Sequence, residues 1–254
     1  MYHFFVEENA IADGLVHITG DDVNHIRNVL RMTAGEQVII SRKNDSEDVD
    51  YYCSLTQITE REVTARIDWT EETRELTNKI YLFQGLPKGD KMELIIQKSV
   101  ELGVYEVIPV AMNRSVVKLD AKKEAGKLKR WQAISESAAK QSKRSIIPAV
   151  KQVMTVKEAL SYAKEMNVKL LPYENEKGIA QTRSMISEIQ AGESVAVFIG
   201  PEGGFAPEEV EAAKNSGFRT VTLGKRILRT ETAGLMMLSV LAYTLEDCQN
   251  SREA

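Results

Sequence analysis

Val195-Ala196-Val197-Phe198-Ile199-Gly200-Pro201-Glu202-Gly203-Gly204-Phe205 is the stretch whose reading decides the fold. Five apolar residues end in a glycine-bearing turn, the signature of a buried strand whose carboxyl end opens into a tight loop. Pro207-Glu208-Glu209 follows, and proline in a first helical turn with acidic residues beside it starts a helix there. A second stretch repeats the pattern: Val221-Thr222-Leu223-Gly224-Lys225-Arg226-Ile227-Leu228-Arg229-Thr230-Glu231-Thr232-Ala233. Strand ends of this kind in an open α/β sheet line a ligand site along its carboxyl edge.

Working back from these loops, strands alternate with longer helical segments. Residues 79–85 and 105–110 read as strands, and 90–102 reads as a helix with Met92, Ile95, Ile96 and Val100 inward. A long helix is expected over 121–141, another over 156–166, and strands over 168–171 and 194–199. The last helix, 232–245, is apolar on most faces (Leu235, Met236, Met237, Leu238, Val240, Leu241), which predicts burial against the sheet or a second subunit. Before residue 72 the rhythm differs. Short β-type runs (38–40, 51–55, 62–67) lie between polar turns and predict a small β-barrel. One helix interrupts it, with Asp21 or Asp22 as cap and Val23, Ile26 and Leu30 on one face. The polar stretch 68–75 marks the change, so the domains are drawn as 1–72 and 73–254.

Composition narrows the class. The chain has 254 residues, 43% hydrophobic and 28% charged, which suits folded domains rather than disorder. No apolar run approaches the roughly 18 residues of a membrane span, and the first residues lack a basic flank, so a soluble cytoplasmic protein is expected. Cys53 and Cys248 lie far apart, and His3, His17 and His25 are the only histidines, so neither a disulfide framework nor a metal site is expected. The net charge of −4 hides an asymmetry: residues 114–151 hold 11 Lys/Arg against 3 Asp/Glu, a local +8.

Gly200-Pro201-Glu202-Gly203-Gly204 is not a P-loop, because no Gly-Lys-Ser/Thr ending follows. It is not a dinucleotide fingerprint either, since the spacing is Gly-x-x-Gly-Gly and Pro201 stiffens the turn. A conformationally demanding turn is the plain alternative to a binding loop. Two such loops flanked by Ile199, Leu223, Ile227 and Leu228 can line one apolar slot whose free backbone groups read an adenine edge or a ribose. Leu171-Pro172-Tyr173-Glu174, a third strand end, can close it.

Phe4-Phe5, His25-Ile26-Arg27-Asn28-Val29-Leu30-Arg31, Lys88-Gly89-Asp90-Lys91-Met92-Glu93, Lys98-Ser99-Val100-Glu101-Leu102-Gly103-Val104, Glu136-Ser137-Ala138-Ala139-Lys140-Gln141-Ser142-Lys143-Arg144 and both glycine loops occur in one order. In that combination, over nearly the whole chain, the sequence resembles the bacterial 16S ribosomal RNA uridine-N3 methyltransferases. The resemblance implies an N-terminal PUA-like RNA-binding β-barrel and a C-terminal α/β SPOUT domain with a mostly parallel sheet. It implies too that this domain carries a deep trefoil knot holding S-adenosylmethionine and works as a homodimer on 16S RNA of the assembled 30S subunit. Where the family carries an arginine just before its aromatic pair, this chain has His3, so a phosphate contact is not carried over there.

The resemblance assigns the cofactor pocket to Leu171, Ile199, Gly200, Gly203, Leu223, Gly224, Ile227 and Leu228, with core packing as the alternative for the leucines. Uridine N3 must lose its proton before it can attack a methyl group, and the charge then spreads to the flanking carbonyl oxygens. Arg229, in the second loop, is placed to stabilise that charge, and Glu202 and Glu231 are the carboxylates available as proton acceptor or as helix caps. His25, Arg27, Arg31, Gln141, Lys143 and Arg144 are candidates to hold RNA phosphates, against the alternative of solvated surface helices. Two other readings stay open: an RNA-binding assembly factor without turnover, and a nucleotide-binding enzyme of another kind.

Overall fold

A computed structural model describes residues 1–43, 49–174, 176 and 178–250. The chain divides into two compact units, Met1–Glu75 with Ala139–Ile147, and Leu76–Ala138 with Pro148–Ala254.

The first unit is a mixed six-stranded sheet: β1 (Tyr2–Val6), β2 (Ile11–Ala12), β3 (Leu15–Thr19), β4 (Gln37–Arg42), β5 (Val49–Ile58) and β6 (Glu62–Glu72), in the order β1-β4-β5-β6-β3-β2. The β1–β4 pair is parallel and the others antiparallel. Alternate residues of five strands turn inward: Phe4 and Val6, Val16 and Ile18, Val38 and Ile40, Cys53 and Leu55, Val63 and Ala65 all belong to one core. Strands at opposite ends of the order share that core, so the sheet bends around it, helped by register shifts in β5 at Tyr52/Cys53 and Leu55/Gln57. Burial pushes the Cys53 thiol up to about 12. The side chain of Cys248 lies outside the described residues.

The expected helix is present with a different start. Its cap is Gly20 at φ 76°, not Asp21 or Asp22, which occupy the first turn of α1 (Asp21–Asn24); the turn then widens to a π-helix over His25–Val29. Val23 and Ile26 are buried, and Leu30 packs on the same core.

The second unit alternates strands and helices: β7 (Ile80–Gly85), α2 (Lys91–Glu101), β8 (Glu106–Ala111), α3 (Ala121–Ser142, of which residues 139–142 belong to the first unit), β9 (Ala149–Val150), β10 (Met154–Thr155), α4 (Val156–Tyr162), β11 (Val168–Pro172), α5 (Ile179–Ser187), β12 (Val195–Ile199), α6 (Pro207–Asn215), β13 (Arg219–Val221) and α7 (Thr230–Asn250). Every pairing in its seven-stranded sheet is parallel, in the order β10-β8-β7-β12-β11-β13 with β9 beside β8. The helix expected over 156–166 is shorter than its periodicity suggests: it ends at Tyr162 and tightens into a 3₁₀ turn over Ala163–Glu165.

The central strands β7 and β12 are buried on both faces, as a parallel sheet covered by helices requires. On one face Phe198 meets Phe83, Phe205 and Phe218 at 5.8, 5.5 and 5.7 Å, under α4 and α6. On the other, α7 approaches through Gly234, where a Cβ would lie 3.4 Å from Gln84 and 3.7 Å from Ile199. Because all strands run the same way, the segments after Gly85, Pro172, Ile199 and Val221 emerge along one edge.

Candidate active site

At that edge lies a cavity of about 630 Å³ lined by three strand ends and the start of α2. The first loop supplies Ile199, Gly200, Glu202 and Gly203, and the second supplies Leu223, Gly224, Ile227, Leu228 and Arg229. Pro172 and Tyr173 line it from β11, whereas Leu171 is fully buried in the sheet core one residue earlier. Glu231 is not in the wall; it lies in the first turn of α7 and reaches the site through Lys91.

Local packing explains why the first loop needs its glycines. A side chain at Gly203 would bring a Cβ within 2.9 Å of the Arg114 Cβ, and Arg114 Nη1 donates to the Gly203 carbonyl at 3.0 Å. The second loop turns at Gly224 with φ 113°, a left-handed conformation that side chains rarely adopt. Among the described residues, the backbone groups of residues 225–228 form no hydrogen bond within the chain, so they stand available to a ligand.

Sequence reasoning did not assign the residues that join the loops. Gln84, fully buried at the end of β7, donates through Nε2 to Thr230 Oγ1 at 2.8 Å, and Thr230 Oγ1 donates to the Gly200 carbonyl at 2.6 Å. The signal was a lone amide inside the apolar run 80–85. From the second loop, Thr222 N donates to Thr182 Oγ1 of α5 at 3.1 Å. Lys91 stands 2.9 Å from Glu202 and 3.3 Å from Glu231. Partial burial would raise the Glu202 carboxyl, but the Lys91 ammonium and the Lys88 amide outweigh it and hold it below its ordinary range. Arg229 is exposed and, among the described residues, paired with no carboxylate.

A wider groove of about 900 Å³ between α4 and α6 contains Lys157, Lys164 and Glu208 but no glycine loop, and the site chemistry does not reach it.

Residues 74–242 match the family model of an RNA methyltransferase domain, and residues 18–68 match that of an RNA methyltransferase PUA domain. The ribosomal RNA small subunit methyltransferase E of Bacillus subtilis is 41% identical over 233 residues, 90% of each chain. The chain belongs to the ribosomal RNA small subunit methyltransferase E family. A second relative of that family, from Mesomycoplasma hyopneumoniae, is 34% identical over 94% of this chain and 98% of its own. The solved structure of the family member from Neisseria gonorrhoeae, bound to S-adenosyl methionine, superposes with a TM-score of 0.80 at 33% identity over 96% and 97% of the two chains.

The remaining candidates all fall in the first unit, because residues 139–147 belong to it. His25, Arg27, Arg31, Gln141 and Lys143 are exposed. Lys140 Nζ meets Asp22 Oδ1 at 2.9 Å, which fastens the end of α3 beside the turn carrying His25 and Arg27. Arg27 also makes an exposed ion pair with Glu60 at 3.4 Å. Arg144 differs from the others. Its side chain is 8% exposed, and its guanidinium grips the Glu75 carboxylate through Nε and Nη2, while Ser145 N donates to the same carboxylate at 2.9 Å. A guanidinium committed in this way holds the segment in place and is not open to a phosphate. His3 is likewise buried, 4% exposed.

Among the described residues, no group of three His, Cys, Asp or Glu side chains is placed to hold a metal ion, and no helix is long and apolar enough to cross a membrane.

Proposed function

We propose that this chain transfers the methyl group of S-adenosylmethionine to N3 of a uridine in 16S ribosomal RNA, on the assembled 30S subunit and as a homodimer. The observation that carries the reading is the cavity at the carboxyl edge, whose two glycine loops are joined by a Gln84–Thr230–Gly200 hydrogen-bond chain rooted in the fully buried Gln84. Its volume lies within the range that holds a ligand of nucleoside size, and its wall combines apolar side chains with unused backbone groups. Those features fit S-adenosylmethionine, which supplies, when bound, an electrophilic methyl group on a sulfonium.

Ile199, Leu223, Ile227 and Leu228 offer the apolar walls, and the amides and carbonyls of residues 225–228 offer the polar contacts. Arg229, unpaired at the cavity wall, donates to the uracil carbonyl oxygen that gains charge as N3 loses its proton. The proton passes to a carboxylate, for which Glu231 stands in the first turn of α7, and the lone pair left on N3 forms the new bond to the methyl carbon, whose bond to the sulfonium sulfur would break and leave a neutral thioether. His25, Arg27, Arg31, Gln141 and Lys143 hold the RNA backbone, a role that positions without reading sequence. The homodimer reading rests on the apolar residues that α2 and α7 leave exposed, Leu94, Val240 and Tyr243.

The test supplies labelled S-adenosylmethionine with small subunits, and separately with naked 16S RNA, from cells lacking this protein. The expected product is 3-methyluridine, formed on subunits. A different methylated nucleoside would overturn the uridine-N3 assignment, and transfer to naked RNA alone would overturn the assembled substrate. A light-scattering mass of one chain rather than two would remove the homodimer.

A further inference from the structure

We propose that Lys91 and Glu202 form a clasp that positions the first glycine loop, so that Glu202 is a positioning residue and not the proton acceptor. The inference rests on the methyl-transfer reading above and assigns a role within that same site.

Lys91 is the first residue of α2, and its ammonium touches carboxylates from two other segments: Glu202 of the first loop at 2.9 Å, and Glu231 of the first turn of α7 at 3.3 Å. Glu202 Oε1 is already occupied, since it accepts both the Lys91 ammonium and the Lys88 amide, the latter at 3.0 Å. Two donors on one oxygen fasten the loop to the α2 start at a point the Gln84 chain does not reach. They also make that oxygen a poor base, because a proton arriving there must displace a cation. The low-lying carboxyl of Glu202 agrees with this.

A fully solvated ion pair would hold little. Here the side chains are about a third exposed (33% and 32%), a backbone amide joins the pair, and a second carboxylate shares the ammonium. Glu231 Oε2 is buried, and the Lys91 ammonium stands 3.3 Å from it. Loss of Lys91 therefore takes from both carboxylates the one ammonium they share. The charged groups around the clasp are Lys88 and Lys91 on the α2 side, Glu202 on the first loop, and Arg229 and Glu231 at the start of α7. Glu174, Lys225 and Arg226 complete the charged lining of the cavity.

The test compares Lys91→Met, Lys91→Arg and Glu202→Gln in the full chain. In the protein without S-adenosylmethionine, amide hydrogen exchange of residues 202–204 is expected to speed at least tenfold in Lys91→Met and to return towards the wild-type rate in Lys91→Arg. Unchanged exchange in Lys91→Met overturns the clasp, whether or not methyl transfer is ever observed. With S-adenosylmethionine, calorimetry is expected to show about tenfold weaker binding for Lys91→Met and Glu202→Gln, with kcat at saturation kept within about threefold. Glu202→Gln that binds normally but loses kcat at every pH would make Glu202 the acceptor and overturn the assignment. Wild-type protein that shows neither binding nor transfer sinks the methyl-transfer reading, while the exchange arm still decides the clasp.

Discussion

Arg229 and His3 show how differently two basic residues behave once their surroundings are known. Arg229 stands at the cavity wall with no carboxylate partner among the described residues, and the proposed mechanism uses that open charge on the uracil carbonyl. Arg229→Ala should lower kcat by about a hundredfold to a thousandfold, as removal of one such donor does elsewhere, while filter binding shows RNA affinity unchanged. An equal fall in RNA affinity would make it a binding residue instead. His3 is buried beside Ser41, whose hydroxyl donates to Asp50 and so accepts from His3 Nε2 at 2.7 Å. A second proton would go on Nδ1, which is buried with no partner among the described residues. Burial, and after it the charges of Arg74, Lys140 and Lys143, lower the His3 pKa from 6.5 to about 4. The unfolded chain therefore binds this proton more readily than the folded one. The stability His3 contributes is complete above pH 6.5 and is lost as pH falls towards 4, by about 3 kcal/mol at the end of that window. Urea unfolding of wild type and His3→Gln at intervals across it should show the wild type losing more; parallel curves would refute the assignment.

Elements carry the site by where they end. Gln84 is the last residue but one of β7, Gly200 follows β12 and Thr230 starts α7, so the Gln84–Thr230–Gly200 chain ties three elements together at the cavity wall. Thr230→Val removes the middle link without emptying the space it occupies. It should weaken S-adenosylmethionine binding by about fivefold to thirtyfold, the order of 1 to 2 kcal/mol that a polar group stripped of its partner costs, here the Gly200 carbonyl and one Gln84 N–H while the other N–H keeps the Gly85 carbonyl, with kcat nearly kept. Calorimetry and saturation kinetics read the split, and a loss confined to kcat would refute it. At this scale the apolar period was legible: Met92, Ile95, Ile96 and Val100 are buried in α2 as spaced, and Pro207 begins α6. What escaped depends on pairing partners distant in sequence. β1 reads as an unremarkable run because its ladder is with residues 38–42, and β9 and β10 are two residues each, too short for any period. The α1 start misled because Gly20 has no side chain to announce a cap. Both glycine loops were legible as loops of one edge, but Lys91 and Gln84 were not, since each acts through residues more than 110 positions away.

Across the whole molecule, the sharpest departure from sequence order is the segment 139–147, which joins the first unit although strands before and after it belong to the second. What holds it is polar chemistry: the buried contacts of Arg144 with Glu75 and of Ser145 Oγ, donating to Asp50 at 2.8 Å, and the half-buried pair of Lys140 with Asp22. The same segment presents Gln141 and Lys143 to solvent, so adjacent basic residues divide into an anchor and a candidate RNA contact. The two roles separate by experiment. Arg144→Met leaves the Glu75 carboxylate buried without its cation, which costs about 3 to 5 kcal/mol, and the melting temperature should fall accordingly. Lys143→Ala touches no buried partner and should leave melting unchanged. It should instead weaken RNA binding and reduce the slope of log affinity against log salt by about one, the mark of a single lost phosphate contact. If Lys143→Ala left both affinity and salt slope intact, the surface beside α1 would be a solvated face. The RNA would then have to be held elsewhere, and the exposed lysines of α3 would be the first residues to replace.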